Sequence, residues 1–258
     1  MTAPLLEVSD LCKTWPGSQG RRRQVALDRV SLAVGAGETL GIVGESGSGK
    51  STLARILMRL TGADSGIARF DGIDVLHPAR RDVARLTREM QIVFQDPNSS
   101  MNPRRTVRQA LTEAARLADP GRGAVARKVA EMLDAVGLSR EKLDAYPHQL
   151  SGGQRQRVAI ARALAVGPRL VIADECVSAL DVSVQSAILN LLLELQRDRG
   201  LSYLFISHDL AVVHHMSDRI LVMKSGQVVE SGPARDLIAA PRHPYTRDLI
   251  AARHIGRG

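Results

Sequence analysis

The chain has 258 residues, 44% hydrophobic and 24% charged, with aromatics at only 3% and a formal net charge of +8. That is ordinary for a globular chain with a buried core, which here must rest on Leu, Val, Ile and Ala, and two distant cysteines, Cys12 and Cys176, exclude a disulfide framework or a Cys-rich metal site. The longest stretch free of Asp, Glu, Lys and Arg, Val182 to Leu193, is well short of the ~20 apolar residues of a membrane-spanning helix.

Leu5 to Val8 reads as a short strand, Lys13 to Gln24 as a loop around Pro16, Gly17 and Gly20, and Val25 to Val34 as a second, alternating strand. Thr39 to Val43 is an apolar run that leads into a Gly-rich loop, and Ser51 to Leu60 is helical, with Leu53, Ile56, Leu57 and Leu60 on one face. The middle of the chain changes texture. Helices are expected at Thr106 to Ala118, at Val125 to Val136 closed by Gly137, and at Ser151 to Val166. Leu170 to Ala173 is a buried strand, Val182 to Arg199 a long helix, Ser202 to Ser207 a strand and Asp209 to Met216 a helix, with two short strands around Gly226. Strands and helices alternate at both ends, which argues for a mainly parallel sheet. Met1 to Asp10 lacks the basic start and apolar run of a signal peptide. Positive charge is spread along the chain, with Arg21 to Arg23 the one compact run, and few aromatics could stack bases, so nucleic acid is not an expected partner.

Gly44-Glu45-Ser46-Gly47-Ser48-Gly49-Lys50-Ser51, followed by Thr52, fits GxxxxGK[ST] and sits between a strand and a helix. Its glycines let backbone N–H groups turn toward phosphate oxygens, and the helix that follows adds the positive end of its dipole. Lys50 can reach the β- and γ-phosphates of ATP, and the Ser51 hydroxyl can ligate Mg²⁺. The apolar run Leu170 to Ala173 ends in Asp174-Glu175. A carboxylate at that strand end, Asp174, suits Mg²⁺, and Glu175 is then free to act on the attacking water. Alone, such a pair would read as a solvated acidic turn; beside the phosphate loop it reads as a catalytic pair.

Leu150-Ser151-Gly152-Gly153-Gln154 places two glycines at a helix start, again exposing N–H groups to an anion. This pentapeptide is the signature motif of the ABC ATPases, and the chain resembles an ABC nucleotide-binding domain over nearly its whole length. The resemblance implies an α/β P-loop NTPase with a mainly parallel core sheet, an N-terminal antiparallel β subdomain and an inserted helical lobe. It implies one ABC ATPase domain over 1–258: a RecA-like core at about 1–94 and 168–230, the lobe at about 95–167, and a C-terminal extension at 231–258.

It also assigns roles residue by residue. Gln95 resembles the Q-loop glutamine, a Mg²⁺ contact with Ser51 and Asp174. Ser178-Ala179-Leu180-Asp181 resembles the D-loop at the subunit interface, and His208 the switch histidine at the γ-phosphate. Trp15 resembles the aromatic that stacks on adenine. Lys50, Gln95, Glu175 and His208 are the expected catalytic groups; residues 44–52 and Trp15 would bind ATP, and Ser151, Gly152, Gly153 and Gln154 would close over the ATP of a partner.

Repair-type ABC proteins split the ATPase around a coiled coil and translation factors carry two ATPase domains; neither pattern is present. Phe94-Gln95-Asp96-Pro97, Met101-Asn102-Pro103-Arg104, Asp174-Glu175-Cys176-Val177-Ser178-Ala179-Leu180-Asp181 and His243-Pro244-Tyr245-Thr246 resemble the oligopeptide, dipeptide and nickel importers, in the form of the second of their two ATPases. The expected function is therefore ATP hydrolysis powering a bacterial importer of di- or oligopeptides or nickel, at the cytoplasmic face of the inner membrane. The expected partners are a sister ATPase (heterodimer, with a homodimer as the alternative), two transmembrane permease subunits and, indirectly, a substrate-binding protein. A non-transport ABC ATPase acting on nucleic acid is the rival reading, favoured only by the basic charge. Cys176 stands where many members have Pro. The iron–sulfur cysteines of some relatives have no counterpart here.

Overall fold

Three runs, Thr39–Val43 (β3), Leu170–Asp174 (β7) and Ser202–Ser207 (β8), are buried at every residue, the pattern of parallel strands covered on both faces. The computed structural model describes residues 3–16, 23–96, 101–118 and 122–255. The chain divides into two compact units, 1–86 with 202–258, and 87–201.

In the first unit, β1 (Leu6–Trp15), β2 (Gln24–Val34), β4 (Ser65–Phe70) and β5 (Ile73–Asp74) form an antiparallel sheet of order β2-β1-β4-β5. β1 is longer than its apolar start suggests. Its register with β2 shifts between Val8 and Leu11 and again between Leu11 and Lys13, and Asp10 and Arg29 adopt φ of 49° and 50°. Bulges of this kind carry pairing past a polar stretch, so Lys13, Thr14 and Trp15 are strand residues rather than loop, with Trp15 opposite Gln24. Part of the expected loop, 17–22, including Arg21 and Arg22, lies outside the described residues.

The same unit carries a second sheet, in which β3 is flanked by β8 and by β9 (Arg219–Lys224), both parallel to it. β10 (Gln227–Pro233) adds antiparallel to β9. Two hairpins turn through two residues of positive φ, Asp71-Gly72 between β4 and β5 and Ser225-Gly226 between β9 and β10, the type I′ geometry whose twist matches the strands. α1 (Lys50–Leu57) buries Leu53, Ala54, Ile56 and Leu57. It stops a turn before the expected Leu60: Arg59 is left-handed at φ 59°, the Leu60 amide bonds back to the Arg55 carbonyl at 2.8 Å, and the Leu60 side chain is exposed. α2 (Val83–Glu89) leads toward the second unit. α7 (Leu210–Met216), α8 (Ala234–Ala239) and α9 (Pro244–Ile255) complete the first.

In the second unit, β6 (Met90–Val93) pairs parallel with β7, Val93 opposite Ala173. Between them in sequence run α3 (Val107–Ala118), α4 (Arg122–Ala135) and α5 (Gly152–Leu164), which pack on one another. The α3 face of Val107, Leu111, Ala114 and Ala115 is buried. Arg108 grips both carboxylate oxygens of Asp144, at 2.8 and 2.9 Å, and holds that carboxyl below its usual range. Gly137, at φ 60°, ends the α4 segment as expected. α6 (Val182–Arg199) follows β7. Among the described residues no helix is long and apolar enough to cross a membrane.

Candidate functional site

The phosphate loop leaves the end of β3 and closes into α1. Gly49, the residue before α1, has φ 107°, and a Cβ there would lie 2.4 Å from the Ala26 carbonyl oxygen, so neither conformation nor space admits a side chain. Lys50 is 4% exposed, and its ammonium donates to the carbonyls of Gly44 and Glu45 at 2.6 and 2.8 Å and to Ser48 Oγ at 3.3 Å. The charge is therefore folded into the concave side of its own loop, at the positive end of α1. Two outside groups fix the loop, one of them braced by a third. The Gly226 amide at the β9–β10 turn donates to the Ser48 carbonyl at 3.0 Å, and the Asp28 amide donates in turn to Gly226 at 2.8 Å. The Tyr245 phenol accepts from the Glu45 amide at 3.0 Å.

Val43 pairs with Ser207 in the parallel ladder, so Gly44 and His208 each follow directly on a paired residue and leave neighbouring strands at their carboxyl ends, where open α/β sheets bind ligands. His208 is exposed. The next residue, Asp209, caps α7, its Oδ1 accepting from the Ala211 and Val212 amides at 2.7 and 3.4 Å. Trp15 comes from the antiparallel sheet, at the end of β1. It is half-buried, with the Lys13 ammonium 5.1 Å from its ring, and that ammonium also pairs with Asp64 at 2.9 Å.

The second unit holds the remaining expected groups. Asp174, the last residue of β7, is 8% exposed. Glu175 follows at φ 49°, a left-handed conformation that a non-glycine residue adopts only when its surroundings fix it. Ser178 supplies the fixing: its amide and its hydroxyl both donate to the Glu175 carbonyl, at 3.1 and 2.9 Å. Gln95 lies two residues past Val93, exposed, beyond the end of the strand beside β7. Residues 97–100, which include Pro97 of the Phe94-Gln95-Asp96-Pro97 run, lie outside the described residues.

Ser151 and Gln154 cap each other at the start of α5: Ser151 Oγ accepts from the Gln154 amide at 3.3 Å, and Gln154 Oε1 accepts from the Ser151 amide at 3.0 Å. The Arg155 guanidinium donates to the carbonyls of Pro147 and Leu150, at 3.2 and 2.6 Å. Gly153 faces α6 closely enough that a Cβ would lie 2.4 Å from Val184 Cγ1, and Gly152 faces Leu180 of the Ser178–Asp181 turn. The signature and that turn are thus one packed element. Asp181 is exposed at the start of α6.

Ser51 carries a hydroxyl, Gln95 an amide carbonyl and Asp174 a carboxylate, each a hard-oxygen donor of the kind that suits Mg²⁺. Among the described residues no group of three or more His, Cys, Asp and Glu could hold a metal by itself.

Cys176, beside Glu175, is 1% exposed, and burial first, with the Asp174 charge adding to it, pushes its thiol up to about 12. The thiolate is the nucleophile, so this cysteine is inert at neutral pH. At pH 8, iodoacetamide should modify Cys12 at most in the folded chain and both thiols after denaturation. Intact mass before and after denaturation checks this, and native alkylation of Cys176 would contradict the burial.

Tyr245 and Gly226 are the loop contacts that motif spacing does not announce. His243-Pro244-Tyr245-Thr246 stood out in the sequence, but nothing in it tells that the tyrosine reaches a loop 200 residues earlier.

The family described as ABC transporter matches residues 27–178. The glutathione import ATP-binding protein GsiA of Escherichia coli O157:H7 is 50% identical over 258 aligned positions, covering 96% of this chain and 41% of its own length. That of Salmonella typhimurium is 49% identical with the same coverage. The chain thus spans about two fifths of the length of these curated relatives. Among solved structures, the dimeric ATP-binding cassette MJ0796, in a post-hydrolysis state bound to ADP and Pi, superposes with a TM-score of 0.79 at 30% identity, covering 89% of this chain and 99% of that one. cbiO1 from Clostridium perfringens, part of the ABC transporter complex cbiONQ, gives 0.80 at 28% identity, over 98% and 94%. With the phosphate loop, the signature and the Asp174-Glu175 strand end all on one such fold, the chain belongs to the ABC transporter family.

Proposed function

We propose that the chain binds and hydrolyses ATP and powers a bacterial importer of di- or oligopeptides or nickel. The observation that carries this is the buried Lys50 ammonium, preset inside a loop at a helix start, in a chain that also carries the signature helix and an acidic strand end. The resemblance to glutathione import proteins supports a small peptide over nickel as the cargo.

In this reading residues 44–52 wrap the phosphates, Lys50 neutralises their charge and Trp15 stacks the adenine. Ser51, Gln95 and Asp174 would hold Mg²⁺, which shields phosphate charge when bound. Glu175 accepts a proton from the attacking water, and His208 steadies the transferring phosphoryl group. Ser151, Gly152, Gly153 and Gln154 close over the nucleotide of a sister ATPase, with Ser178 and Asp181 at the interface. Catalysis is then mostly positioning and charge stabilisation. The subunit sits on the cytoplasmic face of the inner membrane, held by two permease subunits that receive solute from a substrate-binding protein.

The test is co-purification from native membranes with this chain as bait. Recovery of two permease subunits and a sister ATPase is expected, with ATP turnover that rises when the substrate-binding protein is added. Recovery of nucleic acid instead, with turnover stimulated by DNA and suppressed by salt, would overturn the transport reading.

A further inference from the structure

The C-terminal helix α9 is tied to the phosphate loop through one phenol. Tyr245 is 4% exposed, and its oxygen accepts the Glu45 amide at 3.0 Å. Glu45 in turn gives its carbonyl to Lys50 at 2.8 Å, so one residue lies between the phenol and the ammonium. Both the ring and the backbone around it are held. The Lys224 ammonium sits 4.5 Å from its centroid. His243 Nδ1 accepts the Tyr245 amide at 3.2 Å, and Glu230 accepts the Arg242 and His243 amides at 2.8 and 3.0 Å. Burial alone would push the Glu230 carboxyl up, but the Thr246 hydroxyl beside it, the two amides and His243 outweigh that and keep it ionised. The start of α9 is thus a charge-anchored strut that ends on the loop's second residue.

We propose that Tyr245 is a positioning residue of the nucleotide site: by fixing the Glu45 amide it holds the first turn of the phosphate loop in the shape that wraps phosphates. The consequence rests on the nucleotide-binding reading above. Without the phenol oxygen, the Glu45 amide has lost its partner and the loop must reorganise before it can wrap phosphates. Coupling is reciprocal, so nucleotide should steady the start of α9 in return.

The test measures Mg-ATP and ADP affinity of the full chain by titration calorimetry. Tyr245→Phe keeps the ring and its Lys224 contact and removes the acceptor. It should weaken both nucleotides about five- to tenfold, the scale of one lost hydrogen bond, with an unchanged far-ultraviolet spectrum. Glu45→Pro removes the donor at a residue without positive φ. If the hydrogen bond is the channel, Tyr245→Phe is silent in the Glu45→Pro background; a general packing role would give the same loss in both. Mg-ATP should also slow hydrogen exchange at the amides of 245–250 in the parent and not in Tyr245→Phe. Tyr245→Phe that binds both nucleotides like a parent that does bind them overturns this inference and spares the nucleotide reading. A parent that binds neither overturns both.

Discussion

Glu175→Gln should slow ATP turnover by about 10²–10⁴-fold, the contribution of a positioned general base, while nucleotide affinity stays within about twofold. The substitution is close to isosteric, so the turn that presents the residue should survive. That turn is made by the backbone: φ 49° at Glu175, with the Ser178 amide and hydroxyl on its carbonyl. Neither bond involves the carboxylate. What changes is the proton acceptor, since a carboxylate can take a proton from water and an amide cannot. The purified chain at saturating Mg-ATP gives the turnover by phosphate release, and calorimetry gives the affinity. If turnover persists within twofold of the parent, Glu175 is not the base. If affinity falls in step with turnover, its role is in binding. Ser178→Ala offers a milder companion effect through the turn, because it removes one of the two bonds on that carbonyl.

The parts of the site that the sequence discloses are those whose chemistry is contiguous. Gly44 to Ser51 contains its own turn, ammonium and hydroxyl, and the fold only has to supply a strand before it and a helix after it. Leu170 to Glu175 likewise states a buried strand and its acidic end in one run. Tyr245 is the opposite case: a phenol acts on a backbone amide 200 residues away, and a backbone amide has no letter in the sequence. The fold divides in the same way. β3 and β8, buried at all positions, are plain as apolar runs. β4 and β5 are short and partly exposed, with Ile67 open to solvent, so no apolar run marks them. Their signal is Asp71-Gly72, a type I′ turn pair, which reading by hydrophobic runs alone passes over. The run of β1 on to Trp15 is hidden because the bulges at Asp10 in β1 and at Arg29 in its partner β2 break the alternation by which a strand is recognised. α1 ends early because Arg59 takes a left-handed conformation that sequence preference assigns to Gly or Asn, and the apolar Leu60 beyond it disguises the stop.

Lys50→Ala should weaken Mg-ATP binding by about 10²-fold and abolish measurable turnover with it. A unit charge 4 Å from a phosphate oxygen contributes about 4 kcal/mol at the effective dielectric of a protein surface, worth about 10³-fold. Part of that is offset, because Lys50 must first release the Gly44 and Glu45 carbonyls that hold it. The variant also leaves those carbonyls without the ammonium, which loosens the loop as well as discharging it. Lys50→Arg separates the two contributions. It keeps the charge but puts a larger planar fork where the native side chain is 4% exposed. If charge is what matters, Lys50→Arg retains most of the affinity and Lys50→Ala loses it. If the fit of the ammonium inside its loop matters as much, both fall, with turnover falling further than affinity in Lys50→Arg. Equal Mg-ATP affinity in the parent and Lys50→Ala would mean that phosphate is held without this side chain, and the loop would have to be dropped as the nucleotide site.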